Sequence, residues 1–169
     1  VDLDQEPNRI AEAIHEELPA ELRRGVALSE LERAWAEARS WFQGEILKLK
    51  ERFAEVRRHL DGIGVVLLGR PYLVLDDRLS HNIAQRIAEM GIPVFYQEML
   101  PTQTTGCPVG TQYLDWTHWH YGDSILRAAE YVARDEKLFA IYLTAFKCSP
   151  DSFVIPYFRE LMDRYDKPY

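Results

Sequence analysis

The two cysteines are the side chains of this 169-residue chain best suited to metal binding or nucleophilic attack. Cys148 lies in a polar loop after the apolar run from Leu138 to Leu143, and Cys107 lies in a loop rich in glycine and proline. The thiolate is the reactive form, and the neighbouring Lys147 favours it at Cys148. No CxxC pair is present, so spacing alone favours a small packed residue over a metal ligand or nucleophile.

A metal cluster at these thiols would need ligands from elsewhere. Iron–sulfur clusters are commonly held by four thiolates, and Cys148 and Cys107 are the two cysteines of the chain. The remaining ligands would have to come from another domain or subunit. Cys148 is the stronger candidate because it follows a predicted buried strand, and α/β proteins place their sites after such strands.

A second candidate site follows the first predicted strand, at Gly69 and Arg70. A guanidinium binds phosphate or carboxylate through two parallel hydrogen bonds. The alternative for Arg70 is a surface charge or a structural ion pair with Asp76 or Asp77. Gly69 belongs to no GxGxxG or P-loop pattern, so a nucleotide site has weak support.

The elements that position these residues follow from hydrophobic periodicity. Residues 1 to 60 predict a helical region, with a first helix from Pro7 to Pro19 and a long helix capped by Ser29. The apolar stripe of the long helix predicts either packing against a core or an interface with a second copy or partner. Its members are Leu28, Leu31, Trp35, Ala38, Phe42, Ile46, Leu49, Phe53, Val56 and Leu60.

Residues 61 to 169 predict a Rossmann-like α/β domain of three layers with a parallel sheet. Three apolar runs read as strands, at 65–68, 92–96 and 138–143. Between them we expect a helix with an inner stripe of Leu79, Ile83, Ile87 and Met90 that Gly91 closes, and a helix over 124–132. Pro156 is expected to begin the last helix. If the strands are parallel, the loops carrying Arg70, Cys107 and Cys148 share one edge of the sheet.

Composition narrows the classes of function. The net charge of −7 argues against nonspecific nucleic-acid binding. No apolar run approaches the roughly 20 residues of a membrane helix, and the N-terminal VDLDQEPNR has no signal-peptide pattern. Two cysteines are too few for a disulfide scaffold, which predicts a cytoplasmic location. The abrupt end at Tyr169 predicts a fragment of a longer polypeptide, and the alternative is a frayed natural terminus.

Several short motifs together resemble a known family. The motifs are Gly69-Arg70-Pro71-Tyr72, Asn82, Gly91-Ile92, Leu100-Pro101, Trp119-His120-Tyr121-Gly122, Ile125-Leu126, Ala128-Ala129, Leu143-Thr144, Phe146, Cys148 and Pro150-Asp151-Ser152-Phe153. In these motifs the chain is similar to the domain of unknown function attached to CoA-substrate-specific enzyme activases, which is related to the D-component, or beta subunit, of 2-hydroxyacyl-CoA dehydratases. The resemblance covers roughly residues 65 to 169, and the chain departs from the pattern at Asp123, Ala145 and Ser149.

This resemblance implies an oxygen-sensitive system. In such a system an ATP-driven activase passes an electron to an iron–sulfur protein that acts on 2-hydroxyacyl-CoA thioesters. Cys148 matches a cysteine of the motif and becomes the best candidate ligand of an iron–sulfur cluster, such as a 4Fe-4S cluster, with Cys107 second. Gly69, Arg70, Tyr72 and Asn82 become candidate cofactor-binding residues. The implied partners are an activase or dehydratase-type protein, or other domains of the same polypeptide.

Two other functions remain open from the sequence. One is a non-catalytic interaction or regulatory domain, a homodimer included, to which the long helix and the small number of cysteines point. The other is a binder of a small anion, acyl-CoA or a nucleotide at Arg70. The sequence leaves an enzymatic role open, and complete catalysis by these 169 residues alone is not expected.

Overall fold

The computed structural model describes residues 7–102, 119–145 and 149–169. The chain divides into two compact units, Val1–Lys48 and Leu49–Tyr169. The boundary that the sequence predicts between the helical region and the α/β domain, at residues 60 and 61, stays a prediction.

The first unit is helical in its described part. Helix α1 spans Pro7–Glu17, α2 spans Ala20–Arg23, and the long helix α3 spans Leu28–Arg58 and so ends within the second unit. The predicted end of α1 before Pro19 is confirmed. The prediction of Ser29 as the N-cap is wrong, because Leu28 is already helical and the amide of Ala27 donates a hydrogen bond to Oε2 of Glu30 at 3.1 Å.

The apolar stripe of α3 is buried toward its C-terminal end and exposed near Phe42. Phe53 and Leu60 are buried, and Phe53 meets the ring of Phe95 edge-on at 5.0 Å between centroids. This end packs against the core of the second unit, as the packing interpretation predicts. Phe42, farther back on the same stripe, is 59% exposed, and the adjacent Trp41 is 68% exposed.

The second unit is built on a parallel sheet of three strands. These are β1 (Gly64–Leu68), β2 (Val94–Tyr96) and β3 (Leu138–Tyr142), in the order β2-β1-β3. Val66 of β1 lies opposite Phe95 of β2 and Ala140 of β3. The predicted α/β class, the parallel direction and the approximate positions of all three strands are confirmed.

Helices cover both faces of the sheet, which gives the predicted three layers. Val66 and Leu68 of β1 face the larger core cluster, which also contains residues of α6 (His120–Arg134) and α7 (Ser149–Arg164). Val65 and Leu67 face the opposite side, toward the connection between β1 and β2. This alternation follows from the two-residue period of a strand. All five residues of β1 are buried, as expected for the central strand of a covered sheet.

The connection from β1 to β2 differs from the single helix that periodicity predicts. It forms a short helix α4 (Pro71–Val74) and a second helix α5 (Ile83–Glu89). Ile83 and Ile87 pack against the smaller core cluster as expected, but Leu79 and Met90 are exposed. Leu79 lies in the turn between the two helices, so it does not share the face of α5. Gly91 follows α5 with φ +81°, the left-handed conformation that glycine favours after a helix.

The last two helices begin earlier than predicted. α6 begins at His120 rather than near residue 124, and α7 begins at Ser149 rather than at Pro156, which lies inside it. An interior proline costs a helix about 3 kcal/mol. In α7 the burial of Val154, Phe158 and Met162 on both sides of the proline offsets that cost. The longer helix brings Asp151 into its first turn.

Candidate functional site

The carboxyl ends of the three strands meet at one edge of the sheet, as the parallel topology predicts. The chain leaves β1 toward one face of the sheet, through α4 and α5, and leaves β2 toward the other face, through α6. The crossovers from β1 and into β3 therefore lie on opposite faces. In open α/β sheets, ligands bind in the crevice outside the strand ends at such a switch point. We call this region, between the ends of β1 and β3, the strand-edge crevice.

The backbone of Gly69, directly after β1, lies against residues that follow β2 and β3. Its backbone has φ +148°, and a Cβ at this position would lie 2.6 Å from the carbonyl oxygen of Leu143. Its amide donates a hydrogen bond to Oε1 of Gln97 at 3.1 Å, directly after β2. The amide of Leu143 donates to the carbonyl of Leu68 at 2.8 Å. Glycine is needed here because the backbones approach too closely for a side chain.

Arg70 is held in an ion pair across the crevice. Its Nη2 lies 3.0 Å from Oδ2 of Asp151, and the two side chains are 15% and 2% exposed. Its guanidinium also lies over the ring of Tyr72, 4.8 Å from the ring centroid. The structural ion pair foreseen for Arg70 is present, but its partner is Asp151 rather than Asp76 or Asp77. The sequence did not predict this pair for two reasons. Arg70 and Asp151 are 81 residues apart, and α7 begins seven residues earlier than predicted.

The ion pair changes the electrostatics of the candidate anion site. A buried carboxylate beside Arg70 neutralises the charge that would attract phosphate or carboxylate. The other oxygen of Asp151, Oδ1, is buried and has no hydrogen-bond partner within the described part of the chain. Arg70 therefore fastens the start of α7 to the end of β1, and the geometry favours this structural role over anion binding.

Two further polar residues at this edge were missed in the sequence. Gln97, which is buried, bonds to Gly69, and Glu98 follows it. Burial raises the pKa of Glu98 above its usual 4.5. Its Oε2 is buried without a hydrogen-bond partner among the residues described. The signal in the sequence was a carboxylate two residues after a predicted strand.

Four candidate residues remain, and the structure describes two of them, Tyr72 and Asn82. Asn82 is exposed and immediately precedes α5 with φ +54°, and its side chain makes no capping hydrogen bond. Tyr72 is half-exposed beside Arg70. Cys107 and Cys148 lie outside the described residues. In the sequence, Cys148 directly precedes Ser149, the first residue of α7.

The number of cysteines limits what these residues could contribute to an iron–sulfur site. Its cysteines number two, against the four thiolates commonly required. Across 7–102, 119–145 and 149–169, no three His, Cys, Asp or Glu side chains are grouped so that they could hold a metal ion. A cluster held by four thiolates would need two more than these residues contain.

The aromatic motif at the start of α6 is a packing element. The rings of Trp119 and Tyr121 meet edge-on, 6.0 Å apart, and His120 and Tyr121 meet at 5.6 Å. A Cβ on Gly122 would lie 2.9 Å from Cε3 of Trp119. The glycine of the Trp-His-Tyr-Gly motif therefore gives Trp119 space against the helix.

Comparison with known proteins identifies the family. The family model described as the CoA enzyme activase uncharacterised domain matches residues 1–100. This range includes the helical region and the first two strands, whereas the motif resemblance was placed mainly on residues 65 to 169. No curated protein and no solved structure matches the chain significantly. Among the described helices, none is long and apolar enough to cross a membrane. The chain belongs to the family of CoA enzyme activase uncharacterised domains.

Proposed function

We propose that this domain is a module of a 2-hydroxyacyl-CoA dehydratase activase system and carries one part of an iron–sulfur site. In this proposal Cys148 supplies a thiolate, and another domain or a partner protein supplies the remaining ligands. Cys107 is the second candidate thiolate. The observation that carries the proposal is that the end of β3 and the start of α7, which flank residues 146–148, both lie at the strand-edge crevice.

The described residues support a fixed start for the helix that follows Cys148. Asp151, in the first turn of α7, is tied to Arg70 at the end of β1. Gly69 is tied to Gln97 after β2, and Leu143 is tied to Leu68. The described residues on both sides of 146–148 are therefore attached to the end of the central strand. A ligand to a shared cluster needs such attachment, because metal sites require fixed ligand geometry.

The requirement for a partner follows from the number of thiols. Two cysteines provide at most half of a four-thiolate set. A shared site would couple metal binding to assembly, because a ligand set divided between two proteins is complete only in their complex. This explains why a domain with an ordinary α/β core could contribute to metal chemistry while having so few cysteines.

Anaerobic reconstitution of the full-length protein with iron and sulfide tests this proposal. Wild type, Cys148→Ser and Cys107→Ser are compared for iron per protein and for the visible absorption of a cluster. We expect Cys148→Ser to lose most of the iron, and Cys107→Ser to retain more of it. Equal iron in wild type and Cys148→Ser, or no iron in the wild type together with its partner, would contradict the proposal.

The exposed part of α3 supports a second candidate function, an interaction or regulatory domain. Trp41 and Phe42 present adjacent apolar side chains, 68% and 59% exposed. Exposed aromatic residues are enriched at protein interfaces. Sedimentation of wild type and of Trp41→Ala tests the homodimer form of this idea. A wild-type monomer at all concentrations would rule that form out, and a dimer unaffected by Trp41→Ala would exclude this surface.

A further inference from the structure

A cavity lies beside the strand-edge crevice and is not explained by the proposed function. It has a volume of about 280 Å³ and is partly open to solvent. Its walls come from the turn between α4 and α5 and from Leu143 and Thr144, directly after β3. It therefore lies on the carboxyl side of neighbouring strands, where α/β proteins place small ligands.

The floor of this cavity is apolar and fixed. Leu73 is buried, and Ile83 and Leu143 pack against the cluster that contains Val65 and Leu67 of β1. Leu73 is a core residue and the other two side chains are packed against the core, so the floor is preformed. An aliphatic group placed on it would leave water at little cost in ordering the protein.

The walls carry a cation and several hydrogen-bond donors. Arg86, His81, Ser80 and Thr144 line the cavity, and no carboxylate does. Arg86 makes no ion pair within the described residues, in contrast to Arg70. Hydroxyl, imidazole and guanidinium groups can all donate to an oxyanion. The charge and the donors therefore select for a negative ligand.

The backbone beside this wall is strained. His81 and Asn82 both have φ +54°, which is uncommon for residues other than glycine. The two left-handed residues turn the chain between Ser80 and α5. Strained backbone of this kind clusters at ligand sites. Here it accompanies the charged wall of the cavity.

We infer that this cavity binds a small oxyanion, a carboxylate or a phosphate, that carries a short aliphatic group. Arg86 faces the anionic oxygens, the hydroxyls of Ser80 and Thr144 donate to them, and the aliphatic group lies on Leu73, Ile83 and Leu143. The volume equals that of roughly nine water molecules in the liquid. A four-carbon acid fits this volume, and an entire coenzyme A does not. The inference is independent of the iron–sulfur proposal, because binding needs no metal.

A chemical-shift titration of the full-length, metal-free protein by NMR tests this inference. The probes are butyrate and ethyl phosphate, which separate the two oxyanions, with butyramide as the neutral analogue. We expect saturable shifts near residues 80–86 and 143–144 for at least one anion, and no saturation with butyramide. Arg86→Gln should weaken binding about tenfold or more. Arg78→Gln, a charge change in the same connection but outside the cavity, should change binding less than twofold.

Three results would overturn the inference. They are saturation by butyramide at the same concentration as butyrate, equal binding by Arg86→Gln and wild type, and no saturable shift with either anion in a folded wild-type protein. Cys148→Ser is expected to bind the anion as wild type does. A loss of iron binding therefore leaves this inference standing, and a loss of anion binding leaves the iron–sulfur proposal standing.

Discussion

Replacing Arg70 with methionine is expected to destabilise the protein through the carboxylate that it leaves behind. Methionine keeps most of the apolar volume of the arginine stem and removes the charge. Asp151 is 2% exposed and Arg70 is 15% exposed, so the ion pair is largely removed from water. Oδ1 of Asp151 has no hydrogen-bond partner in the described residues. The ion pair between Oδ2 and Arg70 is therefore the main interaction that compensates for burying this carboxylate there. Breaking a buried pair on one side costs about 3 to 5 kcal/mol.

We expect the lower end of this range because the guanidinium keeps some contact with solvent. A loss of about 3 kcal/mol lowers the melting temperature of a protein of this size by roughly 6 to 12 °C. Chemical unfolding, followed by circular dichroism at neutral pH, gives the free energy of unfolding directly. The slope of free energy against denaturant should stay unchanged, since the fold is retained.

Asp151→Asn provides the control. In the Arg70→Met background it removes the unpaired charge, so the double variant should recover at least 1 kcal/mol relative to Arg70→Met alone. The coupling energy from the four proteins then isolates the pair from the separate effects of each substitution. A cost below about 1 kcal/mol for Arg70→Met, or no coupling between the two positions, would refute the structural role assigned to Arg70.

Three further predictions concern the strand edge and the core. Gly69→Ala should cost about 3 kcal/mol because its Cβ would meet the carbonyl of Leu143 at a positive φ, whereas Gly62→Ala, with open space around it, should be nearly neutral in thermal unfolding. Glu98→Gln should raise stability at pH 7, because burial raises the pKa of Glu98 and the wild type loses stability as pH rises above 4.5; a lower melting temperature at pH 7 would contradict this. Burial alone raises the pKa of Asp135, but hydrogen bonds from Arg57 at 2.7 and 2.8 Å and from the Lys137 amide lower it overall. Stability should therefore fall as pH drops below 3.8, and Arg57→Gln should flatten that fall in acid unfolding curves.

The layers of the second unit could be predicted from the sequence because each strand is a short apolar run. Gly69 follows the end of β1 and Gly91 follows the end of α5, as predicted, and both glycines have a positive φ. The start of α7 could not be predicted, because a proline rule is local and the packing that outweighs Pro156 is tertiary. The same error concealed the pairing of Arg70 with Asp151, which are 81 residues apart.

The candidate site was predictable only in outline. Parallel strands require that the loops after β1 and β3 share an edge, and this part of the reasoning is confirmed. The roles of Gln97 and Glu98 depend on burial after a three-residue strand, which periodicity does not resolve at that length. The cavity at Arg86 depends on the turn at His81 and Asn82, and no sequence pattern marks two consecutive left-handed residues there.

Protection of Cys148 from alkylation tests the central proposal most directly. The full-length protein is reconstituted anaerobically with iron and sulfide in the presence of an activase or dehydratase-type partner protein. It is then treated with iodoacetamide, and its alkylation is compared with that of the metal-free protein by mass spectrometry. Because a thiolate bound to iron is a poor nucleophile, we expect residue 148 to be alkylated in the metal-free protein and protected after reconstitution. Protection should be lost again when iron is removed with a chelator. Equal alkylation of Cys148 with and without the cluster would contradict its assignment as a ligand.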